Sequence, residues 1–503
     1  MKHPIKSLIG QTAIYGLSSI LGRFLNYLLV PLYTSLFVPS EYGVVSEMYA
    51  YVSIFMVILT YGMETGFFRF SQNTEYDKNS VYSTAMFSLV TTSVIFVILI
   101  FFTGGFISGL MGYSRFPEYI VLLGFTIALD AVSALPFAKL RNENRARRFA
   151  IIKFINIGVN IGFNLFFLVF LPEFFGTDNF IYNIVYPNIS IGYIFISNFL
   201  ASLVTLLFLI PEFYSVSFKN HFDRLLLKKL LIYSLPLLLA GMAGMISENF
   251  DRILIKYLTS VPAYIVDKEE YIMAQVGIYG ANVKIAVLMT LFIQAYRYAA
   301  EPFFFSNAKN KESKRLYAMV MDYFVFFGLF VFVLITLFID FTKYIIDSSY
   351  HEGLGIVPVL LIGKIFFGIA FNLSIWYKLT NRTNFGALLA FIEVIVSVLL
   401  NILLIPVFGY FGSAWAAASA YFFMMFVSFW LGNKYYPIKY NYLKVFAYFL
   451  IAICIYLINL YLRNTISYYL VANLFMIMLF LALFIYIEKF NLSNLVKIKS
   501  NAG

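Results

Sequence analysis

Apolar runs of about 20 residues or more recur along the whole chain and restrict it to one class of fold. A helix needs about 20 mainly apolar residues to cross the hydrocarbon core of a bilayer. Only 12% of the residues are charged, about half the share of a soluble domain. The sequence therefore predicts an all-α polytopic membrane protein with 14 transmembrane helices. Their predicted spans lie near 8–37, 42–70, 80–104, 117–140, 150–172, 189–211, 228–258, 273–300, 316–340, 354–380, 385–408, 412–433, 443–463 and 467–488.

The Lys and Arg residues of the loops are divided unequally between the two faces of the membrane. One alternating set of loops, which includes both termini, holds 26 of them, whereas the other set holds 5. Because short loops rich in Lys and Arg stay on the cytoplasmic side, both termini are predicted to be cytoplasmic. An even number of helices agrees with this orientation.

Several function classes are disfavoured by composition. The loops are at most about 20 residues long, which leaves no room for a soluble catalytic domain. The net charge of +11 is spread over many short loops, so a nucleic-acid partner is not expected. Cys454 is the only cysteine and the three histidines are scattered, so neither a disulfide nor a metal site is predicted. No cofactor is expected.

Short segments in the first half of the chain recur in the same order in the second half. The matched pairs are 14–17 with 232–235 (offset 218), 43–45 with 277–279 (offset 234), and 138–142 with 377–381 (offset 239). Parallel repeats of this kind are typical of transporters with a site at the repeat interface. We predict a six-helix lobe at 1–211, a second at 212–433, and two appended helices with a cytoplasmic tail at 434–503.

Five basic residues remain inside the predicted spans once those of the loops and span ends are set aside, and charge at such depth is rare and usually functional. Arg23, Lys284 and Lys364 have no acid three or four residues away, so we expect each to face a water-filled cavity. Arg297 is followed four residues later by Glu301, which predicts an ordinary ion pair near the cytoplasmic end of that span.

The remaining basic residue belongs to SENFDRILIKYL, the end of the seventh span. Glu248 and Arg252 are spaced to share one helix face and to pair with each other. Asp251 points to a neighbouring face and needs a partner on another helix. Lys256 is interpreted as the extracytoplasmic end of the helix.

Two further acids, Asp130 and Glu393, lie in the middle of predicted spans. Burial raises the pKa of a carboxyl group, so each could be a protonated group, a packing partner or a site of ion coupling. The same alternatives apply to Asp251. Coupling of the protein to protons or to sodium stays open at this point.

Four stretches, together with an arginine in the first span and the 6+6+2 helix count, resemble the polysaccharide exporters of the Wzx type. The stretches are DRILIKYL (251–258), QVGIYGANVKIAVLM (275–289), LRNENRARRF (140–149) and IPVFGYFGSAWAAASA (405–420). These exporters belong to the multidrug/oligosaccharidyl-lipid/polysaccharide exporter superfamily. The resemblance covers nearly the whole chain and implies a MATE-like fold.

The resemblance also implies a function in the bacterial cytoplasmic (inner) membrane. Exporters of this type are flippases: they move undecaprenyl-diphosphate-linked oligosaccharide from the cytoplasmic to the periplasmic leaflet by alternating access. The oligosaccharide is used for O-antigen, lipopolysaccharide or capsule-like polysaccharide. The implied partners are this lipid-linked oligosaccharide, membrane lipids and other polysaccharide-assembly proteins. Residues that match the family as candidates for the diphosphate or acidic sugars are Arg23, Arg252, Lys284 and Lys364.

Other functions remain as alternatives. A cation-coupled multidrug exporter of the same superfamily would need unpaired carboxylates in its cavity, for which Asp130 or Glu393 could serve. A lipid II flippase would differ in substrate only. A membrane-embedded polysaccharide polymerase or ligase is expected to have a larger extracytoplasmic loop than any found here.

Overall fold

The computed structural model describes residues 25, 27–175, 191–214, 216, 222–380, 382–465 and 469–488. Within these ranges the regular structure is helical throughout and contains no strand. Thirteen helices are long and apolar enough to cross a membrane, and they correspond to the second to fourteenth predicted spans. The predicted all-α polytopic fold class is thereby confirmed for these residues. The first predicted span lies largely outside the described residues.

Eighteen α-helices follow one another along the described chain. Those of the first half are α1 (Leu29–Leu36), α2 (Pro39–Thr60), α3 (Met63–Ser71), α4 (Lys78–Leu110), α5 (Pro117–Asn142), α6 (Ala146–Leu165), α7 (Leu171–Phe175), α8 (Gly192–Phe213) and α9 (Arg224–Leu258). Those of the second half are α10 (Lys268–Ser306), α11 (Ser313–Leu337), α12 (Ile339–Thr342), α13 (Ile356–Leu373), α14 (Ile375–Leu379), α15 (Asn384–Phe408), α16 (Tyr410–Tyr435), α17 (Tyr442–Thr465) and α18 (Tyr469–Glu488). One π-helical turn (Phe166–Phe170) and two 3₁₀ turns (Lys343–Ile345, Ser348–Gly355) connect them.

Residues that start helices set where several of these spans begin. Pro39 and Pro117 lie in the first turns of α2 and α5, where a missing amide hydrogen costs nothing. The Asp77 carboxylate accepts a hydrogen bond from the Ser80 amide at 2.9 Å and so caps α4. Asp223 caps α9 in the same way, through the Leu225 amide at 2.7 Å.

The second span is interrupted between α2 and α3. Tyr61 and Gly62 both have left-handed backbone conformations, with φ of 33° and 71°. A Cβ on Gly62 would lie 2.9 Å from the Ser234 carbonyl oxygen of α9, so the close approach requires glycine here. Interrupted helices are tolerated in membranes only where protein or water covers the freed backbone groups, and α9 provides that cover.

The chain separates into two compact units, of which the first comprises 1–281 with 401–413. In this unit α5 packs against α4, α8 and α2, and α9 packs along α2 and α3. Buried apolar side chains from α3, α4, α5 and α9, including Met63, Phe67, Leu135 and Leu230, form one continuous cluster. This cluster fixes α9 to the second span.

The second unit comprises 282–400 with 414–503, and in it α11 packs against α13, α17 and α18. Lys444 at the start of α17 forms an ion pair with Asp322 of α11 at 3.0 Å. At the opposite end of α17, Arg463 pairs with Asp340, which also accepts a hydrogen bond from the Tyr469 hydroxyl at 2.7 Å. These contacts hold α17 to the region of α11 and α12 at both of its ends, and hold α18 at its start.

Candidate functional site

The acidic and basic residues of 247–258 turn out to have different partners. The Tyr279 hydroxyl of α10 donates a hydrogen bond of 2.6 Å to Asp251 Oδ2. This confirms that Asp251 has its partner on another helix. Its other oxygen, Oδ1, accepts hydrogen bonds from the Arg252 amide at 2.8 Å and from Arg252 Nη1 at 3.1 Å.

Arg252 is 8% exposed and is held by its own helix. Its Nη1 atom donates to the Glu248 backbone oxygen at 2.9 Å, to Asn249 Oδ1 at 3.3 Å and to Asp251 Oδ1. The Glu248 carboxylate is exposed and forms no ion pair with Arg252. The predicted pair between the Glu248 and Arg252 side chains is therefore wrong, because Asp251 takes the position next to the guanidinium.

Three other cationic candidates were predicted from the sequence. Lys284 lies in α10 and Lys364 in α13, and both side chains are half-buried. The Lys364 ammonium lies 5.3 Å from the centre of the Tyr421 ring, a cation–π distance. Arg23 lies outside the described residues. The assignment of these cations to substrate binding stays a prediction.

The predicted pair between Arg297 and Glu301 is also wrong. Glu301 pairs with Lys378 of α14 at 2.8 Å, whereas the exposed Arg297 lies over the Phe371 ring at 4.7 Å. The i,i+4 spacing allowed the first pair, but a lysine from another helix lies closer to the carboxylate.

The mid-span acids differ in their surroundings. Asp130 of α5 interacts with the Ser202 hydroxyl and with the ammonium of Lys153. The Ser202 hydroxyl is thus its hydrogen-bond partner, and Lys153 acts on it through charge without forming an ion pair. Glu393 of α15 is 4% exposed and has interaction partners within the protein. For both acids the roles of protonated group, packing partner and site of ion coupling stay predictions.

A buried ion pair near the start of α2 and the end of α9 was not predicted from the sequence. Glu47 is fully buried, and the Lys256 ammonium donates to its two carboxylate oxygens at 2.9 and 3.1 Å. The same ammonium donates to the Met111 carbonyl oxygen at 2.6 Å and lies 4.2 Å from the centre of the Tyr113 ring. The Tyr113 hydroxyl also donates to Glu47. Lys256 does lie in the last turn of its helix, as predicted.

The signal that could have found this pair is membrane depth. Glu47 follows the start of one span by two turns, and Lys256 precedes the end of another by less than one turn. Both positions lie at the same predicted face of the membrane, where few other charges are available. Local spacing rules cannot reveal the pair, because 209 residues separate its members.

The basic cluster of 139–153 is mostly engaged with acids of the protein itself. Glu212 is buried and lies within 3.1–3.8 Å of three cations, Lys139, Arg145 and Arg148. Of the other cations, Arg141 pairs with Glu64 and Lys153 interacts with Asp130. Only the exposed Arg147 has no such partner among the described residues. The cluster thus holds α3, α5, α6 and α8 together.

Comparisons with known proteins agree with this architecture. The sequence profile of a family described as polysaccharide biosynthesis protein matches residues 8–308. The lipid II flippase MurJ in an inward closed conformation is similar in structure, with 14% identity, a TM-score of 0.71 and coverage of 95% of this chain and 99% of that one. A multidrug resistance MATE family transporter of the MOP superfamily in an inward-facing conformation has 15% identity, a TM-score of 0.65 and coverage of 82% and 93%.

A MOP superfamily transporter from Pyrococcus furiosus is also similar, with 14% identity, a TM-score of 0.55 and coverage of 84% of this chain and 95% of that one. No curated protein matches the chain. At these identities the structural likeness shows the fold alone, whereas the family profile covers more than half of the sequence.

Proposed function

Because this chain belongs to the polysaccharide biosynthesis protein family and has the fold of MOP superfamily transporters, we propose that it flips undecaprenyl-diphosphate-linked oligosaccharide across the bacterial inner membrane. The substrate enters from the cytoplasmic leaflet and leaves in the periplasmic leaflet by alternating access. The product serves the assembly of a surface polysaccharide such as O-antigen or capsule. The protein acts as a transporter and not as an enzyme.

The observation that carries the proposal is the family match over 8–308, which spans the first predicted lobe from residue 8 onward and the helices α9 and α10. The matched region contains Arg252 and Lys284. The MurJ structure, which covers 95% of the chain, is described as that of a lipid II flippase. Both findings favour a lipid-linked substrate for this chain.

The membrane imposes a requirement that these cations can meet. A diphosphate cannot cross about 30 Å of hydrocarbon unless other groups replace its hydration. Arg and Lys donate charge-assisted hydrogen bonds to phosphate oxygens. Arg252, Lys284 and Lys364, with Arg23, are the candidates for this role. The lipid tail can remain in the bilayer while the head group crosses.

The multidrug alternative requires an acid that is free to bind a cation. Asp130 forms a hydrogen bond with the Ser202 hydroxyl and feels the positive charge of Lys153, which favours packing over drug binding at that position. Coupling to protons or sodium remains part of the proposal to be tested. A polymerase or ligase finds no support in the family match.

The test uses a strain that lacks this gene and is complemented with variants. We expect Lys284→Ala and Lys364→Ala to reduce surface polysaccharide at least tenfold while lipid-linked oligosaccharide accumulates in the cytoplasmic leaflet. The control is Arg315→Ala, whose side chain is 87% exposed and, among the residues that the structure describes, pairs with Glu312 alone. Membrane levels of each variant are measured by immunoblot.

Two results would contradict the proposal. Normal surface polysaccharide in both lysine variants would overturn the site. A deletion strain with normal polysaccharide but raised sensitivity to cationic dyes would favour the multidrug exporter instead.

A further inference from the structure

The helices α2 and α10 touch through their backbones near their starts, within the first compact unit. A Cβ on Gly43 would lie 2.0 Å from the Met273 carbonyl oxygen, and a Cβ on Gly277 would lie 1.9 Å from the Pro39 carbonyl oxygen. Real Cβ atoms essentially never approach a neighbour within 3.0 Å. The crossing therefore leaves no room for any side chain at either glycine.

The crossing is symmetric with respect to the internal repeat. Gly43 and Gly277 are separated by 234 residues, and so are their contact partners, Pro39 and Met273. Gly280 lies against Ser46, and these two residues are also separated by 234 positions, so each contacts its counterpart in the other repeat. The offset is the one found in the sequence for 43–45 and 277–279. Equivalent backbone segments of the two repeats thus meet each other here.

The ion pair between Glu47 and Lys256 lies directly beside this crossing, one residue beyond Ser46. All three hydrogen-bond donors of the Lys256 ammonium can be accounted for by the two Glu47 oxygens and the Met111 carbonyl. Removing one partner from such a buried pair leaves an uncompensated charge. The pair ties α9, α2 and the 111–113 loop to one another.

Both features lie at the membrane face that the loop charges assign to the outside. The start of α2, the end of α9, the start of α10 and the 111–113 loop all belong to the predicted extracytoplasmic set.

We propose that the glycine crossing and the Glu47–Lys256 pair together form the extracytoplasmic gate of this transporter. The gate is closed in this structure and separates when substrate leaves. This inference rests on the proposed alternating-access function, although not on the identity of the substrate. Within the gate, the glycines provide close contact without side chains that must disentangle, and the ion pair provides the hold.

A buried ion pair suits the closing contact of a gate better than a pair of apolar side chains does. Burial of an ion pair is offset by a large desolvation cost, so well-packed apolar side chains of similar volume are often as stabilising or more so. When the gate fills with water, both charges are hydrated and that cost is recovered. Apolar side chains recover nothing, because exposure to water is itself unfavourable for them. The charged pair therefore keeps the closed and open states close in free energy.

The test follows gate opening directly, with Ser46→Cys as a reporter at the crossing. The background carries Cys454→Ala, which removes the only native cysteine. Intact cells are treated with a membrane-impermeant maleimide, and labelling is measured per amount of protein in the membrane. We expect slow labelling when the pair is intact. Glu47→Lys or Lys256→Glu alone should increase labelling at least tenfold, and the double charge swap should restore protection.

The apolar double variant Glu47→Leu/Lys256→Met separates a gate from a merely structural pair. We expect it to be present at the wild-type level, to label at least as slowly as the reporter parent, and to lose at least nine-tenths of transport. A structural pair would instead tolerate this replacement with transport unchanged. Glu312→Gln, at an exposed pair with Arg315, is the matched control and should change neither readout.

The outcomes also distinguish the gate from the substrate proposal. Equal labelling of single and swapped variants, or normal transport by the apolar double variant, would overturn the gate. If the single charge variants fail to reach the membrane, the apolar variant decides alone. If the reporter labels as expected but the protein transports no lipid-linked oligosaccharide, the gate is supported and the proposed substrate is contradicted.

Discussion

The starts of α2 and α10 have the same backbone arrangement but different chemistry. Each places a glycine against a carbonyl oxygen of the other, at 43 and at 277. Four residues further on, α2 carries the buried Glu47, whereas the equivalent position of α10 is the equally buried Ala281. The repeat thus supplies a symmetric backbone contact, whereas the ion pair beside it is formed by only one of the two segments, through the Glu47 carboxylate. Symmetry in backbone geometry does not require symmetry in charge.

The largest expected effect comes from making the two segments chemically alike. Ala281→Glu would place a second carboxylate at a position that is fully buried. An unpaired buried charge costs several kcal/mol, so we expect a marked loss of thermal stability in detergent. Ala281→Met controls for volume, since overpacking alone costs about 1–3 kcal/mol. Equal losses in the two variants would show that charge burial does not explain the asymmetry.

A somewhat smaller effect is expected from breaking the symmetric part. Gly277→Ala would force a Cβ into the Pro39 carbonyl oxygen, and no rotamer change can relieve a clash with backbone. We expect a loss of about 1–3 kcal/mol together with at least tenfold faster labelling of the Ser46→Cys reporter.

Gly244→Ala in α9 is the matched control, because its Cβ would have no atom within 4 Å. This variant should be neutral or slightly stabilising, since alanine is favoured over glycine in helices. If both alanine variants behave alike, the close crossing does not hold the helices together.

The smallest expected effect is on the pH dependence of stability. The glycine contact has no titratable group, so the dependence expected here comes from Asp340 in the second compact unit. Burial opposes ionisation of Asp340, but hydrogen bonds from Lys343 and Tyr469 and the charge of Arg463 outweigh it and hold its pKa below the usual range. A carboxyl group with a lowered pKa in the folded state stabilises the fold above the unfolded pKa, about 3.9. That contribution is lost as the pH falls through the folded value.

We therefore expect thermal stability to fall on acidification below about pH 4 and to depend less on pH in Asp340→Asn. The measurement is a series of thermal unfolding curves at falling pH for both proteins. A wild-type protein and an Asp340→Asn variant with the same pH dependence would show that this cluster does not hold α17 and α18 in place.

The helices of this fold could be predicted from hydropathy, because a bilayer selects apolar runs of nearly fixed length. The 234-residue offset was also visible in the sequence, and the structure shows those two glycine segments in contact. Charge partners could not be predicted in the same way. The acid and base spacings at 248 and 252 and at 297 and 301 were permissive only. Arg252 pairs instead with the adjacent Asp251, and Glu301 pairs with Lys378 of another helix.

The pairing of Glu47 with Lys256 shows the limit most clearly. Each residue alone has the features of a charge at a helix end, and only the packing of α2 against α9 brings them together. The interruption at Tyr61 was likewise hidden, since a tyrosine in left-handed conformation has no sequence signal of its own. For Lys284 and Lys364 the sequence supplies their depth in the membrane, and their role stays a prediction.

The length of α10 gives the glycine contact a mechanical consequence. This helix has 39 residues, and at about 1.5 Å per residue it measures about 58 Å. Gly277 is near one end, and the 29 residues from 277 to 306 (306 − 277) place Ser306 about 44 Å away. Rotation of a rigid rod of that length by about 10° about Gly277 moves its far end by about 8 Å. A rotation that barely displaces the backbone at Gly277 would thus move the far end of α10, at the opposite predicted face of the membrane, by about 8 Å.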